Sequence, residues 1–277
     1  MRLRIVSLGV LLLVIPLLAQ SVHANATAVS LGNAAPFAVL GGSTVTNTLA
    51  TVVITGDVGV SPGSSITGFP PGSGTIITSA ATTLGAHNAA TTAFNNLFGE
   101  SGAIDKSGTN LGGLTLTPGL YSFSSSAQLT GTLTLDAQNN PNAVWVFQIG
   151  STLTTASASS VVIINQAANA SNGLFWEVGS SATIGATTDF EGNIVAQMDI
   201  TMGAGATDDC GRLLALTGAV TLHDNTIGIG CTDSDVTGEG GSGGLSGGGT
   251  GGATPESGTL LLAGFGLLGL LALRRNI

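Results

Sequence analysis

The chain has 277 residues and a formal net charge of −9, and only 8% of its residues are charged. Of its six lysines and arginines, four lie in the terminal segments, which leaves only Lys106 and Arg212 for the rest of the chain. Nucleic-acid binding needs several cations to neutralise phosphates, so this composition excludes a nucleic-acid partner and disfavours an anionic membrane surface.

Residues 1–24 have the build of a secretory signal peptide. Arg2 and Arg4 stand at the front, an apolar stretch covers residues 10–19, and small residues suited to cleavage lie near Ala24 and Ala26. We therefore expect the mature chain to be exported.

Residues 25–236 are numerous enough to form one domain with a sizeable core. Within them, an apolar strand, a small or polar corner and a second strand recur about every 18 to 20 residues. The second strand of each repeat carries a threonine between apolar residues, at Thr183, Thr201 and Thr221. This spacing indicates a repeating architecture.

Short strands with a period of two run through the repeats. In residues 130–135, for example, Leu133 and Leu135 point to one side and Thr132 and Thr134 to the other. Strands this short, with glycine corners and no helical crossovers, predict an all-β fold in which coils of a β-solenoid stack at about 4.8 Å. A β-sandwich, which also has many short strands, is the alternative.

One segment, residues 77–98, has the spacing of an amphipathic helix instead. It follows Pro70 and Pro71 and ends before Gly99, which is suited to a C-cap. We expect the helix to cover one face of the solenoid with its apolar side, which comprises Ile77, Ala80, Ala81, Leu84, Phe94, Leu97 and Phe98.

Cys210 and Cys231 are the only cysteines. Because an exported chain meets an oxidising compartment, a disulfide between them is expected, and it would stabilise the fold by roughly 3 kcal/mol. A metal site would need further histidine or cysteine ligands, which His223 alone does not supply. We expect neither a metal nor a cofactor.

Enzymatic chemistry has few candidate residues in this chain. Asp189 and Glu191 have the spacing that puts two carboxylates on one side of a strand, as glycoside hydrolysis requires. Two solvated residues at a corner are the better interpretation, since no nucleophile elbow, metalloprotease motif or phosphate loop accompanies them. Trp145 and Trp176 alternate with core residues, which predicts packing inside the fold. The chain is therefore expected not to be an enzyme.

The C-terminal end consists of a Gly/Ser-rich linker at residues 237–253 and a tail at residues 254–277. The tail joins Pro255 and Glu256 to an apolar segment, shorter than the roughly 20 residues of a comfortable membrane span, and to a basic end. It resembles the PEP-CTERM sorting tail of Gram-negative bacteria. That resemblance implies transient membrane contact and cutting near Pro255 and Glu256 by an exosortase-type enzyme. It also implies a bacterial protein that is secreted or transferred to the cell surface and extracellular matrix; a permanent anchor is the alternative.

Several short sequence segments of the predicted domain, residues 25–236, occur in the order found in one known protein family. They comprise residues 31–41, 43–48, 55–63, 66–72, 118–121, 133–155 and 211–222. Over residues 29–231 the chain resembles the microbial ice-binding proteins of the DUF3494 family. The resemblance implies a right-handed, discontinuous β-solenoid of triangular section, with a long helix against one face and ice bound by another. It also implies a monomer whose partner is the ice lattice.

The family's ice-binding face carries threonines in short motifs at corners and strand ends. Matching those motifs and the repeat gives candidate ice-binding residues, namely Thr48, Thr51, Thr155, Ser157, Thr183, Thr187, Thr188, Thr201, Thr207, Thr221 and Thr226. The leading hypothesis is a secreted protein that inhibits ice growth or recrystallisation through a flat Thr/Ser/Ala-rich face. The alternative is an extracellular-matrix or cell-surface adhesin that binds polysaccharide or cells.

Overall fold

The computed structural model describes residues 26–49, 51–167 and 170–230. This part of the chain is mostly β, with parallel strands and one long helix, and none of its helices is long and apolar enough to cross a membrane. The predicted signal peptide, linker and sorting tail, together with Cys231, lie outside the described residues.

The strands form three rows, because each strand pairs in parallel with its equivalent in a neighbouring coil. The row under the helix, called the covered face, contains β1 (Phe37–Gly41), β4 (Asp57–Val60), β6 (Thr75–Ile76), β7 (Ile104–Asp105), β9 (Gly119–Phe123), β12 (Val144–Ile149) and β15 (Gly173–Val178). The second row, the short-strand face, contains β2 (Thr44–Asn47), β5 (Ser65–Thr67), β10 (Ala127–Leu129), β13 (Leu153–Thr155), β16 (Ala182–Ile184), β18 (Ile200–Met202) and β20 (Val220–Leu222). The third row, the acidic face, contains β3 (Val53–Thr55), β8 (Thr115–Leu116), β11 (Thr132–Asp136), β14 (Ser160–Ile164) and β21 (Thr226–Gly228).

Two long strands, β17 (Asp189–Ala196) and β19 (Thr207–Ala215), turn the corner between the acidic and the covered face. Their first residues pair within the acidic face, and their last residues pair within the covered face. The two faces therefore belong to one continuous hydrogen-bonded sheet of 14 strands, while the short-strand face is a separate sheet of seven.

The order of stacking differs from the order of the chain. In the covered face β1 lies between β4 and β19, and in the short-strand face β2 lies between β5 and β20. The first coils thus stack on the last ones, and the helix carries the chain to the opposite end, where β7 starts the remaining coils. The parallel stacking agrees with the predicted solenoid, but its order is not a simple progression along the sequence.

The interior is filled by apolar side chains from all three faces, as the period of two predicts. Four aromatic rings from successive coils contact one another in a line, with centroid separations of 5.5 Å for Tyr121–Phe147, 4.1 Å for Phe147–Trp176 and 5.1 Å for Trp176–Phe190. Trp145 and Trp176 are fully buried, and their indole N–H groups donate to the carbonyls of Leu116 and Glu191. The predicted packing of both tryptophans is confirmed.

The helix α1 (Ala80–Phe98) begins three residues later than predicted and ends where predicted. Ser79 is its N-cap and accepts a hydrogen bond from the backbone N–H of Thr82, while Gly99 is its C-cap. The residues before Ser79 include β6, whose pairing with β4 keeps Thr75 and Ile76 extended.

The side of the helix predicted to be buried is correct only in part: Leu97 is buried, and Ile77 and Phe94 pack against the apolar cluster beneath the helix, but Leu84 and Phe98 are 48% and 68% exposed. The helix packs on the covered face mainly through Thr83, Ala86, Ala90, Ala93 and Leu97. These residues repeat every three or four positions, and most of them are small. The large side chains of the interface come from the covered face itself, which presents Phe37, Leu40, Leu120, Val146, Phe175, Val195 and Leu214. Small helix residues let the helix approach such a surface closely.

Candidate functional site

The short-strand face presents a line of threonines. Most of its strands have three residues, of which the first and third point into the core and the middle one points outward. Strand pairing aligns the outward residues of all seven strands, which in spatial order are Gln128, Thr154, Thr183, Thr201, Thr221, Thr46 and Thr67. The six threonines, called here the threonine ladder, follow one another without interruption.

The local sequence explains the direction of these side chains. In β16, β18 and β20 an apolar residue stands on each side of the threonine and is buried in the core. The alternation then leaves Thr183, Thr201 and Thr221 facing out. Neighbouring strands lie about 4.8 Å apart, so the ladder repeats a hydroxyl and a methyl group at that interval. Threonine is stiff about χ1, which limits the orientations of both groups.

The ladder hydroxyls are available to solvent. Within the described part of the chain, the side-chain hydroxyls of Thr154, Thr183, Thr201 and Thr221 form no hydrogen bond with protein groups, and Thr67 bonds only to Thr46, at 3.4 Å. A hydroxyl without a protein partner can donate to one water and accept from others. The face can therefore hold a row of water molecules.

A second line of residues lies two positions before each ladder residue, on the same face of the strand or at its entry. Its members are Ser126, Thr152, Ser181, Asp199, Ala219, Thr44 and Ser65. Thr152 donates to the hydroxyl of Ser126 at 2.8 Å, so part of this line is ordered by its own hydrogen bonds. Asp199 is the one charged residue in either line; its Oδ1 accepts from the backbone N–H of Ala219 at 2.8 Å.

The acidic face differs in charge. Asp189 and Asp209 are exposed there, and Glu191 is half-buried. Burial, and next to it the charge of Asp189, raise the pKa of Asp209. Asp189 accepts a hydrogen bond from Thr207 at 3.0 Å, so it already has a protein partner. Carboxylates orient water around themselves strongly, which makes this face a poor match for a neutral lattice.

Among residues 26–49, 51–167 and 170–230, no group of three or more His, Cys, Asp or Glu side chains is arranged to hold a metal ion. Asp189 and Glu191 flank the buried Phe190 on β17, as their spacing predicts.

The predicted site residues fall in different places. Three of them, Thr183, Thr201 and Thr221, belong to the ladder. Thr207 and Thr226 pair with each other on the acidic face. The others lie at the corner between the short-strand and acidic faces or, in the case of Thr155, at the end of the strand that enters it, namely Thr48, Thr51, Thr155, Ser157, Thr187 and Thr188.

The prediction is wrong for two of the corner residues. Thr155 and Thr188 are 3% and 1% exposed, and their hydroxyls lie 3.2 Å apart inside the corner. Thr155 also accepts from the backbone N–H of Gly185, and Thr188 donates to the carbonyl of Ala156. They bind successive coils together and are not at the surface. Both threonines lie in segments that resemble the threonine motif of the family's ice-binding face. The spacing of residues at a corner, however, does not determine which side chain points inward.

The other corner threonines that were predicted are also bonded to the protein. Thr48 donates to the carbonyl of Leu222, Thr51 to Asp224, and Thr187 to the carbonyl of Ala186. In contrast, Thr46, Thr67 and Thr154 belong to the ladder but are not among the residues predicted from the sequence. A usable signal was present, since each of the three follows a residue of the apolar core in a short strand, as Thr183, Thr201 and Thr221 do.

Several known proteins are similar to this chain in sequence and in structure. Residues 39–228 match the family model described as Ice-binding-like. The chain is 52% identical over 226 residues to an ice-binding protein of Nostoc sp. (strain HG1), covering 80% of this chain and 82% of that protein. It is 33% identical over 217 residues to an ice-binding protein of Flavobacterium frigoris (strain PS1), covering 73% and 76%. The crystal structure of an ice binding protein from an Antarctic biological consortium superposes with a TM-score of 0.67 at 46% identity, covering 73% of this chain and 91% of that one.

Proposed function

Because this chain belongs to the ice-binding-like family, we propose that it adsorbs to ice through the threonine ladder of the short-strand face and thereby inhibits ice growth or recrystallisation. The observation that carries this proposal is the uninterrupted register of six outward threonines whose hydroxyls are largely free of protein partners. The family and the relatives are ice-binding proteins, which are not enzymes.

The chemistry of the ladder supports adsorption to ice. Ice offers only water molecules, so a receptor for it needs groups that hold waters in a regular array and few charges that orient them otherwise. The hydroxyl of each threonine can anchor a water, and its methyl group favours a caged arrangement of waters around it. Stiff side chains lose little entropy on binding, and many weak contacts made together give adsorption that hardly reverses.

The covered face and the acidic face are less suitable for binding ice than the short-strand face. The covered face is occupied by α1, and the acidic face carries Asp189, Asp209 and Glu191. We propose the finer architecture of the family for this chain, a right-handed discontinuous solenoid of triangular section, with the short-strand face as its ice-binding side. The parallel stacking of the first coils on the last supports it.

Export and processing complete the proposal. The signal peptide at residues 1–24 would direct the chain out of the cytoplasm, and the tail at residues 254–277 would pass it to an exosortase-type enzyme near Pro255 and Glu256. A disulfide between Cys210 and Cys231 would close the last coils; the burial of Cys210, which is 5% exposed, supports a role for it inside the fold. We propose that the exported protein acts as a monomer.

The full chain, exported by a bacterial host, should halt ice growth slightly below the melting point and suppress recrystallisation. The measurement is thermal hysteresis together with crystal size after annealing, beside an unrelated acidic protein of similar net charge. Ice growth equal to that in the control protein would contradict the proposal. Retention on polysaccharide matrices combined with normal ice growth would favour an adhesin instead.

Asp199 should limit the affinity of the face. It is exposed and is the one carboxylate in the two lines of the short-strand face. Asp199→Asn keeps an oxygen that can accept from Ala219 but removes the charge, so adsorption to ice should rise by about twofold, which corresponds to about 0.4 kcal/mol. The measurement is the fraction of labelled protein taken up by a growing ice front.

The matched control for this change is Asp209→Asn on the acidic face, which alters the net charge equally and should leave uptake unchanged. An equal rise in both variants would mean that overall charge, and not the position of Asp199, sets the affinity.

A further inference from the structure

The segment before the first coil runs beside the end of the helix. The backbone nitrogen of Thr27 donates to Oε2 of Glu100 at 3.2 Å. Val29 is buried, and Ala28 packs against the apolar cluster beneath α1. Glu100 lies two residues beyond the last residue of the helix. The hydrogen bond from the backbone N–H of Thr27 thus connects the start of the described chain to the C-terminal end of α1.

Glu100 lies where a positive charge would be favourable. Its second oxygen, Oε1, is buried and accepts no hydrogen bond from the residues that the structure describes. Burial raises the pKa of Glu100, and the hydrogen bond from Thr27 opposes that rise. A buried carboxylate oxygen without a donor is costly, and a charged donor stabilises it more than a neutral one.

The C-terminal end of α1 adds to the negative electrostatic potential around Glu100. The C-terminus of a helix carries a partial negative charge, and the last turn of α1 contains no basic residue. Its carbonyls at Leu97 and Phe98 receive hydrogen bonds from the side-chain amide of Gln148, which also donates to the carbonyl of Glu100. Gln148 is neutral, so the negative end of the helix and the carboxylate of Glu100 remain uncompensated by it.

The sequence next to Thr27 has the form of a signal-peptidase site. Ala24, Asn25 and Ala26 match the A-x-A pattern that such enzymes cut behind. Hydrolysis of the Ala26–Thr27 peptide bond by water would give a carboxylate on Ala26 and a free amine on Thr27. An N-terminal amine has a pKa of about 7.7–8.0 and is therefore mostly protonated at neutral pH.

We propose that export cuts the chain between Ala26 and Thr27, and that the new α-ammonium of Thr27 forms an ion pair with Glu100 at the end of α1. The cut lies two residues beyond the boundary that the sequence alone predicts. Ala26 is only partly buried and packs at the edge of the apolar cluster beneath α1, so its removal gives up only a small part of that packing. This inference rests on the proposed export but not on ice binding.

N-terminal sequencing tests the position of the cut. The full chain with its own signal peptide is produced in a Gram-negative host, and the exported protein is sequenced from its N-terminus. The expected first residue is Thr27. A first residue of Asn25 would overturn the proposed cut, while protein that stays in the cell with Met1 would overturn the export as well.

Thermal unfolding of Glu100→Gln against pH tests the ion pair. The pairing raises the pKa of the amine in the folded state, so its stabilisation is complete below about pH 7.7 and is lost as the pH rises through that raised value. At about pH 6.5 we expect the melting temperature of Glu100→Gln to lie about 2–4 °C below that of the wild type, because a half-exposed ion pair stabilises a domain of this size only modestly. At about pH 10 the difference should vanish.

Asp209→Asn serves as the control for a lost negative charge and should show no such pH dependence. A difference for Glu100→Gln that is the same at both pH values would overturn the ion pair. Ice adsorption of Glu100→Gln should equal that of the wild type, so a failed ion pair and a failed ice-binding face give different results.

Discussion

Replacing Thr183 and Thr201 together by tyrosine should lower adsorption to ice by at least about tenfold, a loss of about 1.4 kcal/mol or more. The two residues are neighbours near the middle of the threonine ladder. Two bulky rings there would hold the face away from the ice, and contacts of the flanking threonines would be lost along with their own, because the array binds as one unit. Thermal hysteresis and uptake into a growing ice front measure the effect.

The matched control is Thr134→Tyr. Thr134 lies on the acidic face, between Thr115 and Val162 on the neighbouring strands. It should leave ice adsorption unchanged, and both variants should keep their melting temperatures, since exposed substitutions change the stability by roughly 0.5 kcal/mol or less. Equal losses in both variants, or none in the double variant, would exclude the short-strand face as the ice-binding side.

Arg212→Ala should lower the free energy of unfolding by about 3–5 kcal/mol. Arg212 is only 5% exposed; its Nε donates to the carbonyl of Ala35 and its guanidinium donates to Oδ1 of Asn193, both at 2.8 Å. Burial lowers its pKa to about 10, so it remains charged at neutral pH. The truncation would remove both of these buried hydrogen bonds and the positive charge that partly offsets the buried Asp208. Chemical denaturation at neutral pH measures the loss.

Lys106→Ala is the matched control, because it removes the other positive charge of residues 25–236 from a less buried position. Its effect should stay within roughly 0.5 kcal/mol. Arg212→Met should restore part of the volume but none of the hydrogen bonds, so its stability should lie between that of Arg212→Ala and that of the wild type. If Arg212→Ala and Lys106→Ala have the same free energy of unfolding, the hydrogen bonds from Arg212 to Ala35 and Asn193 do not hold the coils together.

The position of Arg212 explains why so large an effect is expected. Ala35 precedes β1 in the first coil, whereas Arg212 and Asn193 lie in β19 and β17 of the last coils. The side chain therefore connects parts of the chain that are 177 residues apart in sequence. The sequence showed only a rare cation in a body with few charges, and nothing in its local pattern indicated burial.

The helix illustrates the limit of periodicity. The spacing of apolar residues correctly predicted that a helix would end before Gly99, because helix formation and capping depend on near neighbours. It predicted the burial of Leu97 but missed most of the buried side, since Leu84 is exposed while Ala86 and Ala90 are buried. The covered face supplies large side chains and leaves room only for small ones, and that shape is set by residues distant in the chain.

The sequence by itself determined the period-two strands, the glycine corners, the buried tryptophans and the outward direction of Thr183, Thr201 and Thr221. All of these follow from alternation between neighbouring residues. The tertiary structure alone decided that Thr46 and Thr67 extend the same ladder, because β2 and β5 stack on β20 from the far end of the chain. Which residues share a surface depends on the stacking order of coils, and sequence spacing does not encode that order.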